Sequence, residues 1–266
     1  MSISASLVFL VGAAFGSFAN VCIYRIPRGI SVVIPGSFCP ACRRELRWYE
    51  IFPVLSFVVL SGRCKGCHKP IALRDTIVEL LSGAVFVLIF IFTGISLRAV
   101  VEAAFFLLML IIGFIDWENL IIPNGLVLVG IVVGVIAIGF VSFHSVWYSI
   151  TYAAFSAGVL FLFRIMGDFC FGKETMGMGD VKLAALVGFF LGLANFLIAV
   201  WIAALLACLY WVTMYFRKGI TGDFKIPFGS FLSWTSIVIS LIPPADNAML
   251  SLVDPKAIPH LLGLHF

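Results

Sequence analysis

The residues of this chain best equipped for chemistry are four cysteines and two aspartates. Cys39-Pro-Ala-Cys42 and Cys64-Lys-Gly-Cys67 form two CxxC pairs separated by residues 43–63. Two thiolates three positions apart, on turns containing Pro or Gly, can grip one tetrahedral ion, and a second such pair closes a structural zinc site. Basic residues around the pairs help keep the thiols deprotonated. Two disulfides or four free thiols are the competing readings, and on a cytoplasmic loop disulfides do not persist. His68 adjoins the second pair, but four cysteines already complete the shell. Cys22, Cys170 and Cys208 are scattered singly and read as small apolar packing residues.

Acids in or beside apolar runs are the second signal, because an ionised carboxylate at a bilayer centre costs about 2.5–3.5 kcal/mol. Glu79, Glu102, Asp116, Glu118 and Asp180 qualify. Asp116 ends one apolar run, and Pro123 a few residues on can open the next helix because its missing N–H is not needed there. Asp180 follows Met176-Gly177-Met178-Gly179, where glycine lets backbone approach closely. Two carboxyls sharing a partly dry site cannot easily both ionise, so one proton is shared between them. One member can then accept a proton from water while the other donates to a substrate carbonyl. Such a pair titrates as a unit, which leaves the resting roles unassigned. Alternatively, each aspartate caps a helix or pairs with a cation such as Lys182. Glu118 and Asp168 read as solvated loop acids, and Glu102 is spaced to pair with Arg98.

The elements that must position these groups are membrane helices. Of the 266 residues, 62% are hydrophobic and only 11% charged, and the mean hydropathy is +1.17, against about 25% charged in ordinary soluble domains. A hydrocarbon core about 30 Å thick needs about 20 apolar residues per span. Apolar runs at 4–24, 75–94, 98–115, 124–142, 147–166, 181–192, 194–216 and 228–244 predict an all-α polytopic fold of about eight transmembrane helices. The sixth run is short and can merge with the seventh, giving seven or eight. The first run has no basic residue before it and no small-residue cleavage site after it, so it reads as a retained helix. The segment 51–60 is apolar but too short to span. No internal repeat is evident. The expected domains are a first helix (1–24), a zinc-binding loop (25–74) and a core (75–266).

Residues 25–74 carry nine of the seventeen Lys and Arg residues. The positive-inside rule makes this loop cytoplasmic and the N-terminus external. Threading eight spans then puts 116–123, 167–179 and 217–225 on the cytoplasmic face, with Arg98 and Lys256 outside. The net charge of +4 reflects these orientation signals and implies no nucleic-acid partner.

With these residues in place, the chain resembles the type IV prepilin peptidases, the leader peptidase/N-methyltransferases of type IV pilus and type II secretion systems. The resemblance covers nearly the whole chain. It is carried in order by Gly16-Ser-Phe-Ala-Asn20-Val-Cys22-Ile-Tyr-Arg25-Ile-Pro27, the two CxxC pairs, Val78-Glu-Leu-Leu-Ser-Gly83, the segment from Asp116 to Asn124, Gly177-Met-Gly-Asp180-Val-Lys182 and Ile226-Pro-Phe-Gly229. It implies a GxGD-type intramembrane aspartyl protease of the bacterial inner membrane, with Asp116 and Asp180 as the catalytic carboxylates and lipid around it. Prepilins and pseudopilins would be its substrates, cut on the cytoplasmic side after a leader-terminal glycine. The new N-terminal residue, usually Phe, would be methylated from S-adenosylmethionine, and the zinc-bearing loop goes with members that have both activities. Glu79, within a matching motif, is expected to play a secondary role or to pair with Arg74. Two positions depart from the family pattern: Asn124 stands where an acid is common, and Ser230 where proline is common.

The methyl-donor site is not marked. Gly177-Met-Gly179 follows no strand and is no dinucleotide fingerprint, and Gly12 with Gly16 reads as a helix-packing face. Because a basic loop does not attract a basic leader, recognition is expected through local shape and acidic groups. The competing functions are an ion- or proton-coupled transporter with a zinc loop, and a peptidase without methyl transfer.

Overall fold

A computed structural model describes residues 4–34, 36–47, 50, 59–139, 143–218 and 225–242. Most of the apolar segment 51–60, Lys256 and the end of the last expected span lie outside these residues. Among the described residues the chain is helical apart from loops and two isolated bridges. Five helices are long and apolar enough to cross a membrane, so the protein is a multi-pass all-α membrane protein. The chain divides into two compact units, Met1–Ile95 and Ser96–Phe266.

In the first unit, α1 (Ala5–Arg25) runs into a short 3-10 turn, Ile26–Arg28, which ends at Gly29 with φ 66°. The helix α2 (Leu73–Thr93) packs along α1. Glycines make the approach possible. A Cβ on Gly12 would lie 2.7 Å from Phe86 and from the Ser82 carbonyl, one on Gly16 would lie 2.8 Å from Ser82, and one on Gly83 would lie 2.7 Å from Phe9. The Gly12–Gly16 face is therefore a packing face, as its spacing indicated. Buried Arg25 ends α1 by donating to the carbonyls of Ser31 (3.0 Å) and Gly36 (2.8 Å). Its guanidinium lies 5.0 Å from the centre of the Phe38 ring, which ties the following loop to the helix.

The second unit holds α3 (Leu97–Asn119), α4 (Asn124–Gly139), α5 (Phe143–Phe171), α6 (Met178–Lys218) and α7 (Phe228–Leu241). Ser96 caps α3 by accepting the Ala99 N–H at 3.1 Å, and the expected Arg98–Glu102 pair closes at 2.8 Å one turn later. In the core, Phe105 of α3 is stacked on Phe190 of α6 at 4.8 Å. Phe106, Met109, Ile112 and Ile115 are fully buried with them. At Gly192 the backbone of α6 takes φ 76° and ψ 171°, a region open in practice to glycine alone. The sixth and seventh apolar runs are thus two helical segments joined at a kink at this residue. The helix α7 (14 residues) ends at Leu241, short of the run expected there, and α4 is described as far as Gly139.

Close helix packing in this unit again depends on missing side chains. Gly113 faces Trp234, and Gly130 faces Leu186. Gly188 of α6 lies directly against Ser156 and the Tyr152 carbonyl of α5, where a Cβ would overlap both. Gly188→Ala must displace backbone as well as a side chain. It is expected to cost about 1–3 kcal/mol, read as a lower thermal midpoint of the detergent-solubilised protein, and an unchanged midpoint contradicts this packing.

Candidate active site and metal centre

Asp116 sits in the last turn of α3, which ends at Leu120 in a left-handed conformation (φ 56°). Asp116 is only 5% exposed, so its buried carboxyl needs hydrogen-bond donors, and α7 supplies them. The first N–H groups of a helix have no partner within it and carry the positive end of its dipole. Ser230, in the first turn of α7, donates its N–H to Oδ2 of Asp116 at 2.7 Å. The Ser230 hydroxyl has one hydrogen and two acceptors, that same Oδ2 at 3.0 Å and the Gly113 carbonyl at 2.8 Å. Gly229 permits the approach, since a Cβ there would lie 3.0 Å from Oδ2 and 2.8 Å from Ile122 Cδ1.

Asp180 lies in the first turn of α6 and takes a backbone hydrogen bond from Gly177, one half of a capping box. A Cβ on neighbouring Gly179 would stand 3.1 Å from Ile122 Cβ. Ile122 thus packs against the glycine beside each aspartate, and the two carboxyls come within electrostatic range of each other. Both aspartates do cap helices, as the plainer sequence reading allowed. That capping is also what orients them. Lys182, the cation the sequence offered as a partner for the aspartates, donates to Asn124 Oδ1 at 2.9 Å.

Two features escaped the sequence reading. Trp117, Tyr210, Phe231 and Trp234 form a ring cluster beside Asp116, with Trp117 centred 5.3 Å from Tyr210 and 5.2 Å from Trp234. Trp117 lies 93 residues before Tyr210 and 117 before Trp234, so no local signal marked the cluster. Asp168, expected as a loop acid, lies inside α5 and accepts the N–H (2.7 Å) and hydroxyl (2.9 Å) of Thr175, with Arg164 at 3.5 Å. It pins the loop that leads into Asp180. Glu118 is exposed on α3, and Glu79 lies on α2 where that helix meets Gly16.

The four cysteines of the other unit converge, with their sulfurs all within 4.8 Å of one another and Cys39 Sγ 3.9 Å from Cys67 Sγ. Zinc–sulfur bonds of about 2.3 Å in a tetrahedron put sulfurs about 3.8 Å apart, so the donor set fits zinc. Two matching turns build it. Cys39 N–H donates to the Arg44 carbonyl and the Cys39 carbonyl accepts from Arg43, while Cys64 does the same with Lys69 and His68. Bridges Phe38–Glu45 and Arg63–Pro70 close the turns, and Arg43 and His68 take positive φ (57° and 55°) at the same place in each. This local repeat is invisible in the sequence because only the cysteines are shared. His68 is not among the converging groups. Backbone N–H groups of Cys67 and Gly66 hold the Cys64 thiol down at about 6, within reach of thiolate at neutral pH. Arg44 donates to buried Glu50 at 2.8 Å, and that bond holds the Glu50 carboxyl below its usual range.

Comparison with known proteins agrees with this arrangement. Residues 10–93 match the bacterial peptidase A24 N-terminal domain, and residues 103–212 match the type IV leader peptidase family. A prepilin leader peptidase/N-methyltransferase of Klebsiella pneumoniae is 35% identical over 70% of this chain and 85% of its own length. One from Bacillus subtilis (strain 168) is 32% identical over 89% of this chain and 93% of its own. One from Neisseria gonorrhoeae is 28% identical over 80% and 83%. No solved structure gives a significant match. With both halves matched in order, and relatives aligned over most of their own length, this chain belongs to the type IV leader peptidase family.

Proposed function

We infer that this chain is a membrane-embedded aspartyl endopeptidase that removes the leader peptides of type IV prepilins and pseudopilins and N-methylates the residue so exposed. One observation carries the peptidase reading. Asp116 and Asp180, on different helices, are brought within electrostatic range by a shared contact on Ile122. In hydrolysis, one carboxylate takes a proton from water as the water oxygen bonds to the scissile carbonyl carbon, and the other carboxyl gives its proton to the carbonyl oxygen. When the C–N bond breaks, the first returns its proton to the leaving amine and a diol hydroxyl re-protonates the second. A prepilin's basic leader followed by an apolar helix puts the cut at a membrane interface, and charge along the chain supports an inner-membrane topology with an external N-terminus and the aspartates on the cytoplasmic side.

Cys39, Cys42, Cys64 and Cys67 would hold one zinc ion in the cytoplasmic loop 25–74, where four thiolates leave no open position and the ion's part is structural. S-adenosylmethionine would supply the methyl group. The names of the relatives favour a two-activity enzyme, and family membership removes the reason to read the acids as a transporter's proton relay.

Co-expression with a prepilin, followed by intact mass of the product, tests the function. The expected product lacks its leader and carries one added methyl. A shortened product without the methyl reduces the reading to a peptidase, and an unprocessed prepilin beside gradient-dependent ion flux in liposomes replaces it with a transporter.

A further inference from the structure

Asp116 and Asp180 are held differently, and the difference bears on which of them carries the shared proton. Every hydrogen bond to the Asp116 carboxyl falls on Oδ2, from the Ser230 N–H and the shared Ser230 hydroxyl. An N–H can only donate, so Oδ2 is committed as an acceptor, and a donor at a helix N-terminus favours negative charge on what it holds. Oδ1 has no protein donor among the described residues. Asp180 also lies at a helix N-terminus but, among the described residues, has one backbone donor against the N–H and shared hydroxyl on Asp116, so the bias rests on the number of donors and not on the dipole.

The charged residues around the pair do not reverse this bias. The helices α4 and α7 carry no charged residue between Asn124 and Gly139 or between Phe228 and Leu241. At its N-terminal end, α6 brings Asp180 itself and Lys182, which is engaged with Asn124, while the end of α5 and the loop before Asp180 bring Arg164, which pairs with Asp168 and Glu174. On α3, Glu118 is exposed, and Arg98 and Glu102 pair with each other at the opposite end.

We propose that Ser230 is a positioning residue that holds Asp116 as the ionised member of the pair through Oδ2, leaving Oδ1 to take the proton from water and Asp180 to carry the shared proton. This rests on the reading of the two aspartates as a catalytic pair. The water proton goes to Oδ1 as the new C–O bond forms, and the Asp180 proton goes to the carbonyl oxygen. On C–N cleavage the amine takes the proton from Oδ1, and a diol hydroxyl restores Asp180.

The test is the rate–pH profile of prepilin cleavage (kcat/KM) by the full chain in detergent. Its acidic limb reports the base and its alkaline limb the acid. Ser230→Pro removes both donors, and proline is tolerated in the first turn of a helix. It is expected to move the acidic limb upward by about one to two pH units while leaving the alkaline limb in place. Ser230→Ala, which removes only the shared hydroxyl, should move it less, and Ser230→Thr, which keeps both donors, should bring it back toward the parent. An acidic limb that stays in place in Ser230→Pro, or a shift confined to the alkaline limb, overturns the proposal. If Ser230→Pro does not accumulate, Ser230→Ala decides by the same criterion. Asp116→Asn and Asp180→Asn separate this from the underlying reading. If those variants still cleave, the pair itself is wrong; if they are dead while the Ser230 profiles coincide with the parent, only this role assignment fails.

Discussion

Membranes carrying Asp180→Ala in place of the parent chain are expected to process prepilin at least about a thousandfold more slowly, the upper range for losing a general acid or base. Asp116→Ala should lose as much, because each proton path in the proposed hydrolysis begins at one carboxyl and ends at the other. The double variant should be no slower than either single one, since residues that act as a unit do not contribute additively. Fold and chemistry can be separated at this pair. Asp116→Ala leaves the buried Ser230 N–H with only its longer bond to the Pro227 carbonyl, 3.2 Å against 2.7 Å to Asp116, a loss of about 1 kcal/mol, so its level in the membrane will fall somewhat. Asp116→Asn keeps an oxygen for that N–H and cannot act as a base, so it should be inactive at near-normal abundance. Cleavage retained by either aspartate variant at normal protein level would falsify the assignment.

Loss of any one of Cys39, Cys42, Cys64 or Cys67 is expected to have the second largest effect, this time on metal content and loop integrity. The purified parent chain should carry about one zinc per molecule, because four thiolates make one closed site. Cys64→Ser should carry almost none. Apparent binding energies of structural zinc reach about 10–16 kcal/mol in small domains and act as folding energy. The two turns are otherwise held by a few backbone hydrogen bonds, so the loop should become sensitive to protease when the ion is lost. Cys170→Ser and Cys208→Ser, exposed and outside the cluster, are the controls and should keep the ion. A parent chain free of metal with a protease-resistant loop contradicts the zinc reading.

The Glu50–Arg44 pair, which packs beside these turns, adds a pH dependence of defined sign. A carboxyl held below its usual range by a cation contributes stability above its ordinary titration range, and that contribution is lost as pH falls through the lowered value. The pair is therefore expected to hold through mild acid, and Glu50→Gln to remove that part of the acid dependence of the loop's protease resistance.

Much of this protein was legible in its sequence for a simple physical reason. Apolar runs of membrane length can only be helices, because lipid offers the backbone no hydrogen-bond partners. Charge along the chain carries orientation, and cysteine spacing carries metal-ligand geometry. The acids at 116 and 180 stood out because carboxylates at the ends of apolar runs are costly and rare. The glycines before Asp180 and the proline before α4 marked where backbone could turn.

What those spacings could not contain was the third dimension. That Ile122 packs on Gly179 and Gly229 together, that the first turn of α7 donates to Asp116, that Asp168 pins the loop before Asp180 and that four aromatic rings gather beside the site all depend on helices remote in sequence meeting at particular angles. Those angles come from packing. Gly188, Gly130 and Gly113 decide how closely helices approach, and Gly192 bends α6 where the sequence alone left one span or two equally open. Local chemistry named the residues, and non-local packing decided which oxygen of Asp116 the Ser230 donors hold.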